Sequence, residues 1–248
     1  MQLNTHLIFG IIVLSRTHLI ILLVTSFLPP IIYSIWIRNT ERQNRERWKA
    51  IAVCFLWGAS IAIIAAIILE IFLDMSLSLS FIQGYPPLFH IFAVLMIAPF
   101  AEELVKPLAL KTKTVYRELN EFEDGLIYGA VAGLGFSATE NLLYGFTFLS
   151  EGLLYFFVLM SIRSIGGCLL HASATALTGY GYGKALLSKK SIFRVLPYFA
   201  AAMLMHAAYN FLVSWDDIGA LTGLGAALLI VLFSIRFIRK KIRVLDQS

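Results

Sequence analysis

Charge is scarce in this chain. Only 14% of its 248 residues are Asp, Glu, Lys or Arg, against about a quarter in an ordinary soluble domain. Cysteine is nearly absent: Cys54 and Cys168 both fall inside apolar runs, which excludes a disulfide framework and reads as two buried thiols. No Lys or Arg precedes Arg16. A cleaved signal peptide needs a positive leading segment, so the first apolar run is expected to be retained. There is no internal repeat, no low-complexity linker and no soluble insertion. These absences leave one membrane-embedded domain over residues 1–248, and any chemistry must take place inside the bilayer.

What the chain has instead is apolar length: 59% of its residues are hydrophobic. A helix needs about 20 apolar residues to cross a bilayer, and several runs reach that length. Seven spans are expected, near residues 19–37, 50–73, 88–110, 125–149, 153–182, 195–213 and 218–238. The stretch Leu7–Leu14 before them is too short to cross. All should be helices, because lipid offers backbone groups no partner and the runs are too long for barrel strands. The fold class is therefore all-α, a polytopic transmembrane bundle. Pro29-Pro30 should kink the first span, and Pro99 and Pro107 should interrupt the third.

The charges that are present set the topology. Residues 38–49 hold five Lys or Arg, 111–124 three, 184–194 four and 236–248 five, while the alternate loops 74–87, 150–152 and 214–217 hold none. Basic loops stay cytoplasmic. This places the N-terminus outside and the C-terminus inside, as an odd number of spans requires. The net charge of +5 is thus spent on topology, and no nucleic-acid partner is expected.

The informative residues are those that accept the cost of burial in a span, about 2.5–3.5 kcal/mol for a charge at mid-helix. They are Glu102, Glu103 and Lys106 in the third span, Glu140 and Asn141 in the fourth, Arg163 and His171 in the fifth, and His206 and Asn210 in the sixth. Lys106 lies four residues after Glu102 and three after Glu103, so it can pair with either. Gly125, Gly129 and Gly133 make a small-residue face that lets another helix approach, and Glu140 continues that face. Arg163, Gly167, His171, Thr175 and Gly179 form a second stripe, each four apart. Glu102, Glu140, His171 and His206 each fall a little past the middle of their spans, so antiparallel helices bring all four near the midplane. Taken singly, His206 reads equally as an interhelical hydrogen bond, Arg163 as structural, Asn141 and Asn210 as interhelical ties, and His6, His18, His90 and Glu70 as wet or interfacial. The adjacent carboxylates Glu102 and Glu103 are the hardest to explain structurally.

Glu102-Glu103-Leu-Val-Lys106, Phe136-Ser-Ala-Thr-Glu140-Asn141, His171-Ala-Ser-Ala-Thr175 and His206-Ala-Ala-Tyr-Asn210 resemble, in order, the motifs of the PrsW family of intramembrane proteases. The likeness covers about Phe27 to Asn210, with a motif-bearing core at 88–213. The wider group, which includes the CAAX prenyl endopeptidases, has Glu-Glu-x-x-x-Arg and Phe-x-x-x-His. Lys106 and Glu140 stand here instead and favour the PrsW branch. The resemblance implies a multi-pass protein of a prokaryotic cell membrane. Its partners would be the lipid bilayer and a membrane-protein substrate with one span. The family's best-known reaction is site-1 cleavage of a membrane-bound anti-sigma factor, and nothing in these residues encodes that substrate.

Peptide hydrolysis needs an activated water and an oxyanion stabiliser. In one reading Glu102 or Glu103 is the general base, while Glu140, His171 and His206 place the water and stabilise the oxyanion. In another, Glu140, His171 and His206 form a His2Glu site for Zn2+, and the carboxylate pair acts on metal-bound water. Lys106, Asn141, Arg163 and Asn210 support the site in both. The rival from another class is a proton- or ion-coupled transporter using the same Glu and His residues. A membrane scaffold without chemistry is the third reading.

Overall fold

The computed structural model describes residues 16–78, 93–214 and 219–247. It is helical, with no strand among the described residues. The helices are α1 (Arg16–Arg38), α2 (Trp48–Trp57), α3 (Ile63–Ser78), α4 (Ala98–Val105), α5 (Lys113–Glu118), α6 (Phe122–Leu149), α7 (Leu153–Ile162), α8 (Cys168–Leu187), α9 (Leu196–Ser214) and α10 (Ala220–Leu245). A π turn at Gly58–Ala62 joins α2 to α3, and another at Arg163–Gly167 joins α7 to α8. The Leu7–Leu14 stretch, His6 and His90 lie outside the described residues, as do the start of the third span and parts of the loops 74–87 and 214–217.

Five described helices are long and apolar enough to cross a membrane: Arg16–Arg38, Trp48–Ser76, Leu153–Leu187, Ile192–Ser214 and Leu221–Leu245. The chain is a multi-pass integral membrane protein. Two expected spans are not among the five, and the third expected span begins outside the described residues. The segment 93–111 carries Glu102, Glu103, Lys106 and Lys111, and α6 is rich in glycine and polar residues. Both can be less apolar because other helices, rather than lipid, surround them. From Glu123 to Ala138 every residue of α6 is buried.

α6 is the axis of the bundle. It packs most extensively on α8 and also on α1 and α2. Lipid gives helices no hydrophobic reason to associate, so close backbone approach must hold them. Gly129 faces the backbone of Thr175, and Gly133 faces that of His171, so tightly that a Cβ at either position would overlap a carbonyl oxygen. The small-residue face expected from the sequence is thus the α6–α8 seam. Gly133→Ala should lower the stability of the detergent-solubilised protein by about 1–3 kcal/mol, the usual cost of overpacking. Gly225→Ala, where an added methyl meets nothing, should be neutral or slightly stabilising. Thermal unfolding of the two variants checks this.

The third span is broken as its prolines require. A π turn over Ala93–Ile97 leads into α4, with Pro99 in its first turn, and a 3-10 turn over Lys106–Lys111 follows, with Pro107 in its first turn. Freed carbonyls find partners elsewhere. Trp57 Nε1 donates to the Val105 carbonyl over 3.2 Å. Thr139 Oγ1 donates to the Ala59 carbonyl, in the π turn, over 2.6 Å. Irregular backbone at membrane depth is tolerated where such contacts repair it. By contrast α1 runs helical through Pro29 and Pro30.

Candidate active site

The broken segment ends α4 against α8 and α9, and its charged residues point into the bundle. Glu103 and Lys106 are fully buried, and Glu102, His171 and His206 nearly so. Lys106 Nζ sits 3.0 Å from Glu102 Oε2, 2.7 Å from Glu103 Oε1 and 2.9 Å from His171 Nδ1. The expected pairing is therefore present with both carboxylates at once, and with a histidine that sequence spacing could not reach.

Glu103 is walled in. Its Oε1 receives Lys106 and, at 3.0 Å, His206 Nδ1, while Thr175 Oγ1 donates to its Oε2 over 3.0 Å. Thr175 was visible in the α8 stripe but not as a carboxylate's partner. Glu102 is placed differently. It lines a cavity of about 570 Å3 together with Glu70, Glu140, Arg163, His171 and His206. Asn210 and Tyr209 stand on the same wall.

The partners fix the histidine tautomers. Lys106 donates to His171 Nδ1, so His171 Nε2 carries the proton and donates to Glu140 Oε2, 2.7 Å away. At His206 the carboxylate of Glu103 accepts from Nδ1–H, which in the neutral ring leaves Nε2 with its lone pair. The two rings meet edge to face, 5.0 Å between centroids.

Beyond His171 the network continues. Arg163 Nη2 lies 2.8 Å from Glu140 Oε2, a charge contact without aligned hydrogen-bond geometry, and Arg163 Nε donates to Asn141 Oδ1 over 2.8 Å. The guanidinium also covers the Tyr144 ring at 3.9 Å. The charge of Arg163 is thus paired inside the bundle. Glu70, read from the sequence as wet, is half-buried. It lines the cavity with Ile63 and Ile67, a spacing of one helical face that was available in the sequence.

Glu102, Glu103, His171 and His206 each offer a ligand atom within 4.8 Å of the others. This grouping shares both histidines with the ligand set expected from the sequence and has Glu102 and Glu103 where that set has Glu140. Glu140 touches the far edge of His171. Imidazole and carboxylate are the donors zinc accepts, and the Lys106 ammonium already stands among them. The cluster is built to hold positive charge.

The sequence pattern of PrsW family intramembrane metalloproteases matches residues 46–237. The chain belongs to the PrsW family. A curated relative, "Protease PrsW" of Clostridioides difficile (strain 630), is 32% identical over 127 residues, 51% of this chain and 51% of that protein. The chain therefore spans about half the length of the curated relative it matches. No solved structure matches it. PrsW membership tells against the transporter reading.

Proposed function

We propose that this PrsW protein hydrolyses peptide bonds of membrane-protein substrates within the bilayer, with Glu102 as general base. One observation carries the assignment: of the two adjacent carboxylates, Glu102 opens on the cavity while Glu103 is enclosed by Lys106, His206 and Thr175. A base must reach the proton it removes. Glu102 takes a proton from water as the water oxygen attacks the scissile carbonyl carbon. The Arg163 guanidinium, on the same cavity wall and held by Glu140 and Asn141, stabilises the oxyanion that forms. The proton held by Glu102 then passes to the leaving nitrogen as the C–N bond breaks, giving a carboxylic acid and an amine. Glu103 orients His206, whose free Nε2 accepts from the attacking water. In the metal-dependent alternative, Zn2+ would supply a Lewis acid and would draw its ligands from Glu102, Glu103, His171 and His206, with the hydrogen bonds of Glu103 and both histidines rearranged to free the donor atoms.

The bundle is proposed to be one domain with seven spans, N-terminus outside and C-terminus in the cytoplasm, on the strength of the loop charges. A reporter fused after Ser248 should read as cytoplasmic; an external signal overturns the arrangement. The proposed substrate has a single span. A membrane-bound regulatory protein such as an anti-sigma factor is the first to test.

The deciding experiment is cleavage by the purified protein in detergent of a panel of single-span proteins. Fragments cut within the span, absent with Glu102→Gln, are expected. A wild-type protein that cuts nothing, or a Glu102→Gln variant that cuts equally well, overturns the assignment. Turnover abolished by a chelator and restored by Zn2+ assigns a metal to the site. Turnover unchanged by chelator assigns the metal-free route.

A further inference from the structure

A second cluster of acids lies at the opposite end of α6, on the side of the basic loops. Glu41 and Glu46 come from the loop between α1 and α2, and Asp124 from the first turn of α6. Glu41 is fully buried, Asp124 is 2% exposed and Glu46 is 6% exposed. One carboxylate oxygen from each lies within 4.8 Å of the other two. Asp124 is 16 residues before Glu140 on one helix, about 24 Å at 1.5 Å per residue, so this cluster is separate from the site above.

Burying three carboxylates together requires compensation, and the neighbours supply only part of it. Glu41 Oε2 accepts the Glu46 backbone N–H, Glu46 Oε2 accepts the Tyr128 hydroxyl, and Asp124 Oδ2 accepts the backbone N–H groups of Asn120 and Glu121. Glu46 and Asp124 are within hydrogen-bonding reach of each other and can share a proton, while Glu41 Oε1 is buried and has no hydrogen-bond partner. Arginines are near but look elsewhere. Arg38 Nε donates to the Glu46 carbonyl and Arg45 Nε to the Glu41 carbonyl. Among the described residues no Lys or Arg nitrogen lies within 4.0 Å of any of the three carboxylates. Burial and mutual repulsion push the Glu41 carboxyl up to about 7 and the Glu46 carboxyl up to about 10, as expected of acids crowded without a cation.

We infer that Glu41, Glu46 and Asp124 form a binding site for a hard divalent cation, Mg2+ or Ca2+. All the donors are carboxylate oxygens, the ligands such ions take. A bound cation would satisfy the buried, unpartnered oxygen of Glu41. Glu41 has further acidic neighbours. It is grouped within 4.8 Å with Glu121 and Glu123, which line a neighbouring cavity of about 490 Å3 with Asp246, Asn44 and Gln43. The bound ion would tie the α1–α2 loop to the start of α6, the helix that carries Glu140.

The test uses the full chain in detergent after chelator treatment. Mg2+ and Ca2+ should each raise its Tm saturably, and Mn2+ should lose its free-ion EPR signal on binding. Glu46→Gln and Asp124→Asn should each raise the half-saturating concentration at least tenfold. His206→Ala should leave it unchanged. Should either acidic variant fail to fold, Glu41→Gln is the replacement, with the same expected tenfold loss. Wild-type protein that shows no saturable Tm shift and binds no Mn2+ overturns the site and leaves a proton shared between carboxyls. A response kept in the acidic variants but lost in His206→Ala moves the cation to the intramembrane cluster and also overturns it.

Discussion

Glu102→Gln should lower turnover by about 10²–10⁴-fold, the range a positioned base contributes, while the protein still folds. Glutamine keeps the shape of the side chain and one oxygen. The Oε2–Lys106 contact at 3.0 Å becomes a neutral hydrogen bond, and Glu103 still compensates the buried ammonium at 2.7 Å. Stability should therefore change by about 1 kcal/mol or less, whereas the proton acceptor on the cavity is gone. Glu103→Gln should behave differently. It removes the acceptor shared by Lys106, His206 and Thr175, so it should lower Tm visibly as well as turnover. Turnover of a single-span substrate and Tm, measured on both variants, separate base from support. Equal loss of turnover at unequal cost in stability is the expected pattern. An active Glu102→Gln beside an inactive, well-folded Glu103→Gln would exchange the two roles.

The residues of this site could be named before any coordinates because membrane burial makes them expensive. A Glu or His in a 20-residue apolar run stands out, and four such runs pointed to one midplane. Helical spacing then found the Lys106 pairs and the glycine seam of α6 correctly, since both depend on the 3.6-residue repeat. What spacing could not carry is contact across helices. Lys106 to His171, His206 to Glu103 and Thr175 to Glu103 depend on how α4, α8 and α9 pack. The stripe from Arg163 to Gly179 assumed regular helix, yet Arg163–Gly167 is a π turn. Its extra residue per turn re-phases Arg163 against His171, as π turns at functional sites often do. The acids at the far end of α6 escaped notice for another reason. Glu41 and Glu46 sit in a loop full of arginine, where sequence suggests solvated charge. Only the fold shows that Arg38 and Arg45 turn to main-chain carbonyls and leave the buried acids without a cation.

Lys106→Met should be the most destabilising single change in the bundle, by about 3–5 kcal/mol, the cost of breaking a buried ion pair from one side. Lys106 is fully buried and its ammonium meets Glu102, Glu103 and His171 within 3.0 Å. Methionine fills most of the volume, so the loss is chiefly electrostatic. Glu103, itself fully buried, is left as a carboxylate without its cation. His171 loses the donor on Nδ1 that fixes its tautomer, and with it the Nε2 contact to Glu140 is no longer enforced. The remedy follows from the same reasoning. Adding Glu103→Gln removes the stranded charge, so the double variant should regain most of the lost stability, because a neutral pair of similar volume often matches a buried ion pair. A double-mutant cycle should therefore give a coupling of at least about 1 kcal/mol between residues 103 and 106, within the range found for contacting pairs. Turnover should not return with stability, since His171 has lost Lys106 and His206 has lost the Glu103 carboxylate. Additive Tm losses in the cycle would show that Lys106 does not serve Glu103. The ammonium would then have to be assigned to Glu102 and His171 alone.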